Sequence, residues 1–332
     1  VYPPASEFWK MRPSTFDYER AFETKGDKDA WKKKFEEVTS AGMIPRMTIG
    51  AAMAAPLIDV LKIRNLQLHL SVDTGAGKSA AIKFALSVFG NPEKLKVTFN
   101  ATATALDSLA VTLNDLPCFV DELQAANKKT RENIESVIYQ FAEGAARGRA
   151  AKNGTNRPIK TFRGCRITSG EQDLLPDNYG AGAAGRIIQL HCKGKIFDSD
   201  FAAELHRFTR ENYGLFGRDW TAFIVDNADK IKEFFYYVEK EFTERGAAKG
   251  YIPAQMQAVA AIMTGYHIFN LFLTGKATDE ITKAQIETDF EEIKKPLQTN
   301  STADNAARAF RSVIEYVNAH PREFVKQTCN SN

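Results

Sequence analysis

A strand-forming run, LQLHLSV (66–72), breaks into DTGAG and continues as KSAAIKFALSV, a helix-forming segment. This ending is that of the phosphate-binding loop G-x-x-x-x-G-K-[ST], which is credible only between a strand and a helix. Both are expected here. The chemistry needs backbone N–H groups turned into a concavity, a lysine that reaches the outer phosphates and a hydroxyl for a divalent cation. Asp73, Thr74, Gly75, Ala76, Gly77, Lys78, Ser79 and Ala80 supply that loop, with Gly75 and Gly77 for the turn, Lys78 for the charge and Ser79 as metal ligand. The signature's first glycine is replaced by Val72, which we read as the last residue of the strand.

Such a loop requires a mostly parallel sheet, and the sequence around it alternates accordingly. Further strands are expected at 95–99, 116–122, 164–171 and 186–191, and helices at 78–88, 103–113 and 131–144. Before this core lie an irregular segment (1–24), a charged amphipathic helix (27–39) and an alanine-rich apolar helix (47–61) that Pro56 should kink or break. Beyond about residue 200 only helices are expected, at 200–212, 219–243, 253–273, 281–296 and 302–318. The resulting architecture is α/β: a nucleotide-binding core at 63–198 with helices on both faces, a helical N-terminal lead-in at 1–62 and a C-terminal helical lid at 199–332.

The second chemical element is LPCFVDEL. Apolar residues close on Asp121, placed to hold the metal shell, and on Glu122, placed to orient and deprotonate an attacking water. Two solvated acids at a strand end would look the same in isolation. Their order and spacing after the loop favour a Mg2+-dependent ATPase. The strand RITSGEQ then offers Ser169 as a sensor of the γ-phosphate or the water, with Thr168 and Glu171 as alternatives. Arg186, at the start of a strand after a glycine-rich stretch, is a candidate arginine finger for a neighbouring subunit's ATP; a surface arginine without a role is its competitor.

Between Gly144 and Arg166 stand seven basic residues and no acid: Arg147, Arg149, Lys152, Arg157, Lys160, Arg163 and Arg166. The NGTN turn signal within this stretch predicts a β-hairpin, about 147–163, whose one sign of charge suits a nucleic-acid backbone. Arg149, Lys152, Arg157 and Lys160 are the expected DNA contacts. Arg147 and Arg149 lie nearest the core and are alternatives for the ATP interface. A solvated loop or an intersubunit contact would carry the same charges.

The net charge of +3 decides nothing about partners. Four scattered cysteines, with no C-x-x-C pair, argue against a zinc module or a disulfide framework and for a reducing, cytoplasmic setting. The longest apolar run (258–273) is too short and too polar to span a bilayer and reads as a buried helix. His69 and His191 read as core or edge residues. A chain running from Val1 to CNSN is expected to be a piece of a longer polypeptide.

The runs LHLSVDTGAGKSAAIKFALSVFGNPEK, FNATATALDSLAVTLNDLPCFVDELQ, YQFAEGAARGRAAKNG and FRGCRITSGEQ resemble the helicases of cassette chromosomes and prophages, a family long carried only as a domain of unknown function. AWKKKFEE with AAMAAPLIDVL, and ENYGLFGRDWTAFIVDN with AARAFRSVIEYVNAHPREF, extend the resemblance over about residues 27–325. It implies an AAA+ ATPase similar to minichromosome-maintenance helicases, a hexameric ring that acts on single-stranded or forked DNA in replication of a mobile element or phage. By motif, Lys78 and Ser79 are then loop residues, Asp121 and Glu122 the metal and base residues, Ser169 a sensor-strand residue and Arg186 the finger. The basic hairpin takes the place of the pore-lining pre-sensor hairpin. Val72 is the chief departure. An initiator, loader or defence ATPase that switches rather than translocates would share every ATP residue.

Overall fold

The computed structural model describes residues 21–101, 103–122, 134–146, 159–175, 181–192, 194–276, 280–297, 310, 313, 314, 316, 317 and 320. Parallel strands bring the loops that leave them to one edge of the sheet, so strand order determines which of those loops meet. Among the described residues five strands, β1 (Leu66–Val72), β2 (Lys96–Thr98), β3 (Leu116–Asp121), β4 (Gly164–Gly170) and β5 (Ile188–Cys192), form one parallel sheet in the order β2-β3-β4-β1-β5. The chain thus inserts β4 between β3 and β1. The sensor strand lies between the phosphate-loop strand and the acidic strand, and all three point their C-terminal ends the same way. β1 and β4 are buried along their whole length, as central strands covered on both faces must be.

The helices begin where local chemistry satisfies their free N–H groups. α1 (Lys28–Ser40) is capped by Asp27, whose carboxylate accepts from the Ala30 N–H at 2.7 Å. α2 (Met43–Ala54) starts four residues earlier than its apolar pattern predicts, with Pro45 in its first turn, where a missing N–H costs nothing. At Pro56 the helix tightens into a 3₁₀ turn, Ala55–Leu57, before α3 (Ile58–Leu61). The expected break is therefore present. α4 (Lys78–Ser87) follows β1, α5 (Ala103–Thr112) and α6 (Ile134–Glu143) flank β3, and the short α7 (Ala181–Ala184) precedes β5.

The helical region holds α8 (Ser199–Glu211), α9 (Gly217–Asp226), α10 (Ala228–Ala247), α11 (Pro253–Thr274) and α12 (Lys283–Ile293). The single helix expected at 219–243 is two helices. Asn227 leaves helical geometry (φ −120°, ψ 18°) and its amide donates to the Phe223 carbonyl at 2.9 Å, ending α9 and letting α10 set off afresh. Most of the helix expected at 302–318 lies outside the described residues.

One hydrophobic core joins the N-terminal helices, the sheet and the helical region. Trp31 of α1 is fully buried, stacks on Phe84 of α4 at 4.8 Å and donates its indole N–H to the Ser87 hydroxyl at 2.9 Å. α2 and α11 cross at glycines: a Cβ on Gly50 would lie 2.3 Å from the Ile262 carbonyl, and one on Gly265 would lie 2.6 Å from that of Gly50. α11 is 22 residues long and apolar enough to cross a membrane, as is the stretch Met43–Leu61, yet 78% of each one's most apolar window is buried in the fold. Both are core helices here.

Candidate nucleotide site

The loops leaving β1, β3 and β4 open into a cavity of about 620 Å³ at the C-terminal edge of the sheet, where open α/β sheets hold their ligands. Its wall contains Thr74 to Ala80, Asp121, Glu122, Ser169, Gly170 and Glu171. Three stretches far apart in the sequence thus end in one concavity.

The phosphate loop takes its shape from two glycines. Gly75 (φ +75°) and Gly77 (φ +91°) occupy left-handed backbone that other residues avoid. Gly77 has a second constraint, since a Cβ there would sit 3.0 Å from the ring of Phe197. The segment after β5 props the loop from behind, with the Ile196 N–H donating to the Ala76 carbonyl at 2.8 Å. Val72 is a strand residue, 2% exposed and paired with Cys192. Its side chain lies in the core and its carbonyl turns into the loop, where it accepts from the Lys78 ammonium. That ammonium also donates to the Asp73 carbonyl at 2.9 Å. Partial burial pushes the Lys78 pKa down, while Glu171, Asp121 and Asp73 pull it back up.

The acidic wall is more tightly organised. Ser169 donates to Asp121 Oδ1 at 2.5 Å, and the Glu122 N–H reaches the same oxygen at 3.0 Å. Glu122 is exposed and held at φ +58°, a sterically costly conformation for a side chain with a Cβ. Strain of this kind persists where the surroundings enforce it, and it concentrates at functional sites. Thr74 donates to Glu171, bridging the loop and the turn after β4.

Oxygen donors alone suit a hard cation such as Mg2+, which takes one or two carboxylates and completes its shell with phosphates and water. Ser79 and Asp121 fit that pattern. Among the described residues no group of three or more His, Cys, Asp or Glu side chains could hold a metal unaided, so the cation and the phosphates would bind together.

Sequence reasoning missed part of the wall. Ser199, Ala202, Ala203 and His206 of α8, spaced as one helical face, line the same cavity. Their residue types carry no signal; only packing of α8 against α4 brings them there. Burial lowers the His206 pKa, and Lys83 lowers it further.

Arg186 lies elsewhere. It precedes β5, at the N-terminal edge of the sheet, where its carbonyl accepts from Gln67 near the start of β1. The loop is most of a strand away, roughly 15–20 Å at 3.3 Å per residue. Its guanidinium stacks on Tyr139 at 4.3 Å, donates to the Gly182 carbonyl at 2.7 Å and approaches Glu143 at 3.4 Å. It cannot serve this chain's own cavity.

The base of the expected hairpin is present. Ala145 and Thr161 form an antiparallel bridge, the Ala146 N–H donates to the Lys160 carbonyl and the Phe162 N–H to that of Gly144. Arg147, Arg149, Lys152 and Arg157 lie outside the described residues; Lys160 is exposed. Two of the seven basic residues, neither among the expected DNA contacts, are engaged within the fold. Arg163 pairs with Asp115 at 2.8 Å and Asp59 at 2.6 Å. Arg166 is buried in β4, stacked on Phe141 at 4.6 Å and bonded to Gln67, and burial pulls its pKa down to about 10. Its burial inside this central strand, within the stretch expected as a strand at 164–171, removes it from any phosphate-facing surface.

A family model described as "Domain of unknown function (DUF927)" matches residues 5–161, which include the phosphate loop and the acidic strand. No curated protein matches the sequence. Among solved structures, one described as "SCCmec type IV Cch - active helicase" superposes with a TM-score of 0.73 at 20% identity, over 97% of this chain and 61% of that one. The chain has the fold of that helicase. It spans less than two thirds of that helicase's length. The resemblance to cassette-chromosome helicases thus extends to the α/β core and its helical region. NtrX from Brucella abortus in complex with ATP matches at a TM-score of 0.26 and 13% identity, over 82% of this chain and 60% of that one, too loose a superposition to inform the fold.

Proposed function

We propose that the chain is an ATPase of the AAA+ class that drives a DNA helicase or translocase, and that it works as a ring of identical subunits. The observation that carries this reading is the convergence of Lys78, Ser79, Asp121, Glu122 and Ser169 on one cavity, with Ser169 bonded to Asp121. In this reading the triphosphate lies on the loop N–H groups at the start of α4, and Lys78 leaves its two backbone carbonyls for the outer phosphates. Ser79 and Asp121 hold Mg2+, whose charge offsets that of the phosphates. Glu122 orients a water and accepts its proton, while Ser169 fixes Asp121. The γ-phosphate must face the acids on the β3 and β4 side of the loop, so ribose and base extend toward Ser199, Ala202, Ala203 and His206.

Arg186 serves the neighbouring subunit in this reading. Its place at the opposite edge of the sheet supports a role in trans, where a guanidinium stabilises charge in phosphoryl transfer. The basic hairpin, rooted at 144–146 and 160–162, carries Arg149, Lys152, Arg157 and Lys160 to the phosphate backbone of a single strand. The assignment to replication of a mobile element rests on the resemblance of the sequence motifs to cassette-chromosome helicases. The test is an ATPase assay with and without single-stranded DNA, beside mass measurement with a non-hydrolysable nucleotide. DNA-stimulated turnover and ring-sized assemblies are expected. Turnover indifferent to DNA in a protein that never assembles would overturn the motor.

A further inference from the structure

His69 has no part in this chemistry, yet it is fully buried in the centre of β1 between Leu68 and Leu70. A third leucine would suit the core better, because a buried imidazole must satisfy two ring nitrogens. Both are satisfied. Nδ1 meets the Thr168 hydroxyl at 2.8 Å and Nε2 meets the Gln172 carbonyl at 2.8 Å. A carbonyl only accepts, so Nε2 carries the hydrogen and Nδ1 accepts from Thr168. Burial keeps the ring neutral, with a pKa lowered to about 4.

The partners matter more than the ring. Thr168 directly precedes Ser169, and Gln172 directly follows Glu171. Ser169 and Glu171 are the two side chains that β4 and its turn send into the cavity, one to Asp121 and one to Thr74. The imidazole therefore brackets the tripeptide Ser169–Gly170–Glu171 from both ends and ties it to the strand that leads into the phosphate loop. Gly170 at its centre, lacking a side chain, gives the turn little stiffness of its own.

We infer that His69 is a positioning residue for hydrolysis, a clamp that fixes Ser169 and Glu171 against the phosphate loop through its bonds to Thr168 and Gln172. This rests on the nucleotide reading above. The clamp predicts a split in the kinetics. Phosphate binding depends on the loop and Lys78, which His69 does not touch, whereas alignment of the acidic wall depends on the bracket. A reacting group misplaced by about 1 Å costs roughly 10²-fold.

The experiment uses the whole chain and ATP. His69→Leu, which fills the space and removes both bonds, is expected to lower kcat by roughly 30- to 100-fold with KM and the affinity for a fluorescent ATP analogue little changed. His69→Gln, whose amide can donate to Gln172 and accept from Thr168, is expected to restore kcat to within about threefold of the parent, which a purely volumetric role would not require. Should His69→Leu fail to fold, Thr168→Val decides: it removes the Nδ1 bond, with the hydroxyl's longer 3.3 Å contact to the Leu68 carbonyl, leaves the Nε2 bond in place and should lower kcat several-fold with KM unchanged. A His69→Leu protein with parental kcat, or one whose kcat loss is matched by lost affinity, overturns the clamp. So does a His69→Gln protein as slow as His69→Leu. Lys78→Ala and Glu122→Gln run alongside; if neither changes turnover, the nucleotide reading has failed, and the clamp falls with it for that separate reason.

Discussion

The two ends of the sheet use charge in opposite ways. At the C-terminal edge, three acids and one lysine face a common cavity, Glu122 is held in a costly backbone conformation and, among the described residues, the Lys78 ammonium donates to the backbone carbonyls of Val72 and Asp73. At the N-terminal edge three arginines have protein partners of their own: Arg186 has Glu143 and Tyr139, Arg163 has Asp115 and Asp59, and Arg166 has Gln67 and Phe141. The first end is built for a ligand. At these three arginines the second end is satisfied within a single chain, so any work they do on phosphate requires a neighbour to draw them away from their partners.

Arg186→Ala tests that contrast most severely. If Arg186 crosses to a neighbour's ATP, the assembled protein should lose about 10⁴-fold in turnover with nucleotide affinity kept. Mixing it with a Glu122→Gln protein should restore part of the activity, since some interfaces then combine an intact arginine with an intact glutamate. Unchanged turnover would make the N-terminal edge pure scaffold. At the other edge, Glu122→Gln should cost about 10³-fold in kcat while ATP still binds, measured as phosphate release against equilibrium binding. Ser169→Ala should cost about tenfold in kcat, the worth of one bond to a carboxylate, and a loss no larger than the scatter between preparations would remove Ser169 from the site.

Gly77→Ala should lower stability by about 1–3 kcal/mol, because it combines positive φ with a clash against Phe197. Thermal melting with and without nucleotide would show whether the glycine serves the fold, the ligand or both. The last prediction concerns pH and barely touches turnover at neutrality. His69 has a folded pKa of about 4 against an ordinary value of 6.5, so the unfolded chain takes up a proton first as pH falls. Its share of stability is complete above pH 6.5 and is lost progressively as pH falls toward 4, by about 3 kcal/mol in all. Urea midpoints at pH 7 and pH 5 should differ, and His69→Gln should shrink the difference. An unchanged difference would show that other groups carry it.

Much of the C-terminal edge was legible in the chain, because each of its groups obeys a local rule. Gly75 and Gly77 must turn a loop, Lys78 and Ser79 must open a helix, and Asp121 and Glu122 must end a buried strand. Periodicity located the strands to within a residue or two. It joined α9 to α10, since the apolar spacing runs on through Asn227 and only the backbone there departs. It also placed Arg166 in the strand at 164–171, but only the fold shows its guanidinium buried and stacked on Phe141.

The sequence by itself determined the motif order, the alternation of strand and helix, and the residues proposed to hold a triphosphate and its cation. Those follow from interactions within a dozen residues. Tertiary structure alone decided which ends meet. Inserting β4 between β3 and β1 brings Ser169 to Asp121 and His69 to Thr168, pairs that stand 48 and 99 residues apart. It also decided that Arg186 faces away from the phosphate loop and that α8 closes the cavity with His206. Val72 shows both levels at once. The missing glycine is plain in the sequence, but only the sheet shows why it is tolerated: the valine side chain lies in the core, and its carbonyl alone reaches the loop.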